Sequence, residues 1–270
     1  MVLHGNTGLA ACLARSGLLD GWRFLLAAHS APILRNRHDG KRGSIDDHGA
    51  RGTRHQVAVF DLDGTLTRYD TYLRYLIGYI GKRPTRVLRA WGLPLNVLLL
   101  KSRLRDNTWL KKRSLGSILG GLTDTELLPW TWSFVDRLVQ SGLRQAGIDA
   151  LRDHQSQGHR TILLSASPDV FVREIAIRLE FSDCICTIVE RDRNGRLTGQ
   201  LVGGNCHGSE KLRRMQHLFG SNRGAVRIVA YGDHRSDLPL LQWADLGVLV
   251  NPSPALIRAA AQMQLKVMKW

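Results

Sequence analysis

The chain predicts an α/β fold built on a parallel sheet, and three observations predict it. Short apolar runs, Val57-Ala58-Val59-Phe60, Thr161-Ile162-Leu163-Leu164 and Val226-Arg227-Ile228-Val229-Ala230-Tyr231, read as buried strands. Each is followed by polar, reactive residues: Asp61 and Asp63, then Ser165, then Asp233 and Asp237. Helical stretches separate them, and strands alternating with helices build a parallel sheet whose carboxyl edge gathers ligand-binding loops. At 270 residues and 43% hydrophobic, the chain can bury one such core with a smaller insert.

Strand 57–60 runs into Asp61-Leu62-Asp63-Gly64-Thr65-Leu66, where Gly64-Thr65 lets the backbone turn away. From Asp70 the spacing of Tyr72, Leu73, Leu76 and Ile77 predicts a helix to about Ile80, stopped at Gly81. Helices follow over about 84–100 and 107–120, and Thr123-Asp124-Thr125-Glu126 is a capping box opening a helix to about Ser141. A helix over about 144–157 stops at Gly158 and feeds the second strand. Ser167-Pro168 reads as N-cap and first residue of a helix to Glu180. Cys184 to Glu190 and Leu197 to Val202 form a hairpin closed around Asn194-Gly195. Ser209 caps a helix to Phe219 with Gly220 as its stop, and strands at about 226–231 and 247–250, a helix at about 253–262 and a short last strand complete the sheet. The expected organisation is a loosely attached extension over 1–55, a core of 56–70 and 144–270, and a helical cap of 71–143. Trp91, Trp109, Trp130 and Trp132 are read as the core of that cap.

The formal charge of +15 is unevenly spread. Residues 68–115 hold twelve Lys/Arg against Asp70 and Asp106, a balance of +10, whereas residues 1–55 hold eight against four, a balance of +4. Such charge suits a nucleic-acid binder, but it is concentrated in the helical segment and comes without a nucleic-acid motif, so no specific nucleic-acid partner is expected. Cys12, Cys184, Cys186 and Cys206 lack disulfide or zinc spacing; reduced thiols and a cytoplasmic protein follow. No stretch approaches the ~20 apolar residues of a membrane-spanning helix. The longest, Ala90 to Leu100, contains Pro94 and Asn96 between Arg89 and Lys101.

Folding does not ask for two carboxylates at a buried strand end. Asp61 and Asp63 are spaced to face the same side, and two anions held together repel, so their pKa values are driven apart or a cation sits between them.

Four segments occur in fixed order: Asp61 to Leu66, Ser165-Ala166-Ser167-Pro168, Gly208-Ser209-Glu210-Lys211, and Gly232-Asp233-His234-Arg235-Ser236-Asp237. Over about residues 56 to 270 this order resembles the haloacid dehalogenase (HAD) superfamily of phosphohydrolases, specifically subfamily IB, with a helical cap between its first and second motifs. The resemblance implies a Rossmann-like HAD core with a C1-type cap inserted after the first strand, and bound Mg²⁺. It makes Asp61 the nucleophile and Asp63 the general acid and base. Asp61, the backbone carbonyl of Asp63, and Asp233 become metal ligands, with Asp237 orienting the metal's waters. Around the phosphate it places Gly64, Thr65, Ser165, Ala166 and Lys211, at a helix amino end that favours anions. Asp70 and His234 are substrate-contact candidates.

For the substrate, Asp70 falls where phosphoserine phosphatases carry a glutamate, but Gly64, the Ser-Ala-Ser-Pro segment and Ser236 depart from their pattern. Ser165 to Pro168 and Asn205 to Lys211, with an apolar and basic cap, look similar to the bacterial phosphatidylglycerophosphatase C family. A lipid-linked phosphate is therefore expected, with peripheral contact to an anionic membrane through Arg89, Lys101, Arg103, Arg105 and Trp91. A phosphorylated small molecule such as phosphoserine is the alternative, and transfer to an alcohol in place of water would use the same residues.

Overall fold

The computed structural model describes residues 54–83, 85 and 106–270. The sheet has seven strands in the order β4-β3-β2-β1-β5-β6-β7. They are β1 (His55–Phe60), β2 (Arg160–Pro168), β3 (Asp183–Arg191), β4 (Leu197–Val202), β5 (Val226–Gly232), β6 (Leu246–Val250) and β7 (Lys266–Met268). Every neighbouring pair is parallel except β3 with β4, the hairpin expected around Asn194-Gly195. Asp192 closes that loop, its Oδ1 accepting from the Asn194 and Arg196 N–H groups.

Period-two alternation sorts the strand residues into two cores. Val57, Val59, Ile162, Leu164, Ile228 and Ala230 face one side, joined by Met215 and Phe219 of a helix over Ser209–Phe219. Ala58, Phe60, Leu163 and Tyr231 face the other, with Phe60 and Tyr231 stacked at 4.5 Å. The second core continues into the helices between β1 and β2: α1 (Thr71–Lys82), α2 (Asn107–Ile118) and α3 (Asp124–Arg137). Tyr75 of α1 is wedged there against Trp130 and Phe134 of α3 and Phe171 of the helix after β2. The remaining helices are α4 (Gln145–Ser156), α5 (Asp169–Arg178), α6 (Ser209–Phe219), α7 (Leu238–Trp243) and α8 (Pro254–Gln262).

Local chemistry explains most boundaries. The Thr123 hydroxyl accepts from Glu126 N–H while the Glu126 carboxylate accepts from Thr123 N–H, the reciprocal cap that opens α3. Four expectations change. β1 begins at His55, two residues before the expected strand, and Arg54 lies 3.7 Å from Asp245. β2 runs through Pro168, which takes the N-cap position of α5 in extended conformation; Ser167 does not cap, because its hydroxyl is committed to Asp63. Gly208, at φ 62, is the N-cap of α6, and Ser209 is its first residue, since that left-handed backbone favours glycine. In α3 the buried positions are Leu127, Trp130, Thr131, Phe134 and Val135, which leaves Trp132 off the packed face and 39% exposed. The helix expected over about 84–100, Trp91, Cys12 and nearly all of 1–55 lie outside the described residues. No helix among the described residues is long and apolar enough to cross a membrane.

Candidate active site

A cavity of about 490 Å³ opens at the carboxyl edge of the sheet, where the parallel strands deliver their loops. Its lining includes Asp61, Asp63, Gly64, Asp70, Ala166, Lys211, Asp233, His234 and Asp237. Thr65 and Ser165, both fully buried, lie behind that lining.

The Asp61 N–H donates to the Tyr231 carbonyl at 3.0 Å, which ties the end of β1 to the end of β5. The chain then makes one wide turn over Leu62–Leu66, with Gly64 at φ 83. A Cβ on Gly64 would lie 2.0 Å from Asp233 Oδ2, so glycine here admits the Asp233 carboxylate. The buried ammonium of Lys211, on the first turn of α6, donates to Asp61 Oδ1 at 2.6 Å and to Asp237 Oδ1 at 2.8 Å. Asp237 Oδ2 accepts from the His234 N–H at 3.2 Å, and Thr65 donates weakly to Asp233 at 3.4 Å.

Asp63 is held separately. Its Oδ1 accepts from the N–H and hydroxyl of Thr71, at 2.7 and 2.6 Å, and its Oδ2 accepts from the Ser167 hydroxyl at 2.6 Å. Ser165 braces this arrangement, its Oγ accepting from the Ser167 N–H at 3.0 Å. The first turn of α1 and the end of β2 thus fix one carboxylate between them.

The electrostatics follow from crowding anions in a buried edge. Burial opposes the charge on Lys211, but Asp237 and Asp61 overcome it and hold the ammonium above the ordinary lysine value. Burial raises Asp61 against the pull of Lys211, with Asp237 and Asp233 adding to the rise. Burial, then Asp237, push Asp233 up to about 6. Burial also raises Asp63, against the hydrogen bonds from Ser167 and Thr71. One lysine does not neutralise these carboxylates. Asp61, Asp233 and Asp237 offer oxygens within 4.8 Å of one another, an all-oxygen set that fits a hard divalent cation.

Asp70 lines the cavity while capping α1, its Oδ1 accepting from the Leu73 N–H at 2.8 Å, and His234 lines it with its ring 6.4 Å from that of His207. Several residues of the site carried no role in the sequence reading. Thr71 and Ser167 grip Asp63; Ser167 stands inside a recognised segment, yet its hydroxyl fits a helix cap equally well until β2 is seen to extend. Lys111 of α2 reaches the cavity and donates to the Ala166 carbonyl at 2.7 Å and to Asn205 Oδ1 at 2.8 Å. In sequence it is one of twelve basic residues between 68 and 115, with no feature to separate it from the rest.

A sequence model of the haloacid dehalogenase-like hydrolases matches residues 58–242, spanning β1 to α7. The chain is 31% identical over 199 residues to protein CicA of Caulobacter vibrioides, covering 73% of this chain and 86% of that one. It is 23% identical over 204 residues to phosphoserine phosphatase SerB1 of Mycobacterium tuberculosis, covering 74% of this chain and 66% of that one. Among solved structures, a protein of unknown function from Bordetella pertussis Tohama I superposes with a TM-score of 0.69 at 23% identity, over 80% of this chain and 99% of the other. With its Rossmann-like α/β sheet and its four motifs at one sheet edge, the chain belongs to the haloacid dehalogenase-like hydrolase family and is an enzyme.

Proposed function

We propose that this chain is a Mg²⁺-dependent phosphomonoester hydrolase that works through an aspartyl-phosphate on Asp61. One observation carries the reading: the two carboxylates that follow β1 sit in opposite environments, Asp61 against an ammonium and Asp63 against neutral donors. That division suits a nucleophile and an acid. An Asp61 oxygen attacks phosphorus while the bond to the alcohol breaks, and Asp63, its carboxyl raised by burial, gives its proton to the departing oxygen. Asp63, now a carboxylate, takes a proton from water; the water oxygen forms the new bond to phosphorus, and the bond to Asp61 breaks. Lys211, the backbone N–H groups around Gly64, Thr65 and Ala166, and the Ser165 hydroxyl beneath them hold the phosphate oxygens. Asp61, Asp233 and the Asp63 carbonyl would hold Mg²⁺, with Asp237 beside them, and the ion supplies positive charge between two anions that otherwise repel.

The helices α1 to α3 act as a cap over this edge, since Asp70 at the start of α1, Tyr72 and Lys111 reach the cavity from them. We assign a lipid-linked phosphomonoester as substrate. Leu73 and Ile77, four residues apart on α1, are 55% and 59% exposed beside the cavity-lining Asp70 and Tyr72, within the segment that carries +10. That combination suits an anionic lipid surface. The second reading is phosphoserine, favoured by the SerB1 relative and by Asp70, whose carboxylate suits a substrate ammonium.

The test is hydrolysis of p-nitrophenyl phosphate with and without Mg²⁺. Asp61→Asn is expected to lower turnover by a factor of about 10³ or more in a protein that keeps its fold, and chelation is expected to abolish wild-type activity. Undiminished activity in either case contradicts the mechanism.

A further inference from the structure

Lys111 presents an anomaly. Buried ammonium groups are ordinarily matched by a carboxylate, because desolvating an unmatched charge is costly. Lys211 follows that rule with two partners. Lys111, half-buried, does not: among the described residues it is ion-paired to no carboxylate, its hydrogen bonds go to two neutral oxygens, the Ala166 carbonyl and the Asn205 side chain, and its Nζ lies 5.6 Å from the centre of the Tyr72 ring. An ammonium has three N–H donors, so one is left, and Lys111 lines the cavity.

The surroundings fix its position. The Thr187 hydroxyl, with one proton to donate, lies 2.6 Å from the same Ala166 carbonyl and 3.1 Å from Asn205 Oδ1, which holds the two acceptors together. Behind Lys111, the Tyr72 hydroxyl lies 2.6 Å from the Ser114 hydroxyl and donates to the Lys111 carbonyl at 3.2 Å. Lys111 thus reaches from α2 of the helical insert to acceptors on β2 and before α6, and its ammonium stands at the seam between the insert and the sheet edge. Lys211 and Asp61 belong to the sheet edge, where the phosphate reacts, and Asp63 lies between sheet and insert, held by Thr71 of α1 and Ser167 of β2.

Resting on the phosphatase reading above, we propose that Lys111 is the counter-ion for a second negative charge, carried by the alcohol portion of the substrate. The substrate class is then a phosphomonoester whose leaving group bears another anion, either a carboxylate or a phosphodiester. Alcohols without one leave the ammonium unmatched and are poor substrates. Burial drives Lys111 down to about 8, with Asp63 and Asp70 opposing, as a charge short of a counter-ion would show.

The experiment compares kcat/KM within matched pairs. Phosphoserine against phosphoethanolamine removes a carboxylate, and phosphatidylglycerophosphate against phosphatidic acid, in one detergent, removes a phosphodiester. In the wild-type enzyme the doubly anionic member of at least one pair is expected to win by roughly tenfold to a hundredfold. The pair that shows the preference identifies the anion. In Lys111→Gln that ratio is expected to collapse toward one, and in Lys111→Arg to persist in part, whatever happens to the absolute rates. A wild-type enzyme that turns over p-nitrophenyl phosphate but shows no preference in either pair overturns the inference alone. An unchanged ratio in Lys111→Gln overturns it too. No turnover of any phosphomonoester overturns the phosphatase reading along with it.

Discussion

Asp61 and Asp63 are two residues apart, yet their side chains meet different neighbours, and that difference decides what each can do. Asp61 continues the extended backbone of β1 and meets Lys211, whereas Asp63 enters the turn and is caught by Thr71 and Ser167. The pair was legible in sequence, because carboxylates at a buried strand end have little structural purpose. Their grips were not, because hydroxyls of Thr71 and Ser167 have many equivalent local uses. Lys111 was hidden for another reason: its place in the cavity depends on α2 packing against β4 and on a reach to the Ala166 carbonyl of β2, which no local pattern encodes. It gives a pH prediction. Asp63, Asp70 and Cys206 favour its charge, while burial and Lys211 disfavour it. The ammonium is present below about pH 8 and lost above it, so the preference for doubly anionic substrates in kcat/KM should fade as pH rises through about 8. A bound anion raises the pKa of Lys111, so kcat at saturation should resist to higher pH. A preference flat through that range in the wild type would contradict the assignment.

At the scale of elements, the sequence signals that survived were those written in short range. The Thr123 capping box, the Gly220 stop and the Asn194-Gly195 turn each depend on a few adjacent residues. One failure came where a distant partner overrode a local preference. Ser167 is a good N-cap residue, but Asp63 claims its hydroxyl from 104 positions away, and β2 consequently stays extended to Pro168. Within α3 the capping box sets the entry of a helix that carries Trp130 and Phe134 into the core around Tyr75. Thr123→Ala should therefore cost ~1 kcal/mol and lower the melting temperature by about 2–4 °C, measured by thermal unfolding. No shift would show that tertiary packing alone holds the start of α3.

On the scale of the whole molecule, the alternation of strands and helices made the sheet legible, and a parallel sheet gathers its functional loops at one edge. What the sequence left open is the substrate, since the cap residues proposed to meet the leaving group follow no fixed spacing. The proposed lipid surface makes a prediction at this scale. The protein should co-sediment with anionic vesicles and not with neutral ones, and binding should weaken with salt as the basic segment is screened. Replacing Leu73 and Ile77 together by serine should remove the salt-resistant part, because both side chains stand in solvent on α1. Equal sedimentation with neutral and anionic vesicles would contradict an electrostatic attachment.

Transfer of the phosphoryl group to Asp61 would leave a covalent enzyme that can be trapped. Asp63→Asn removes the group proposed to activate water while leaving the proposed nucleophile, so an activated phosphomonoester with a good leaving group should load the enzyme faster than water clears it. Rapid acid quenching followed by peptide mass spectrometry should then find one phosphoryl group on the peptide containing Asp61, and none on that peptide in Asp61→Asn. A phosphoryl group on any other residue, or rapid hydrolysis by Asp63→Asn with no covalent enzyme, would contradict the account.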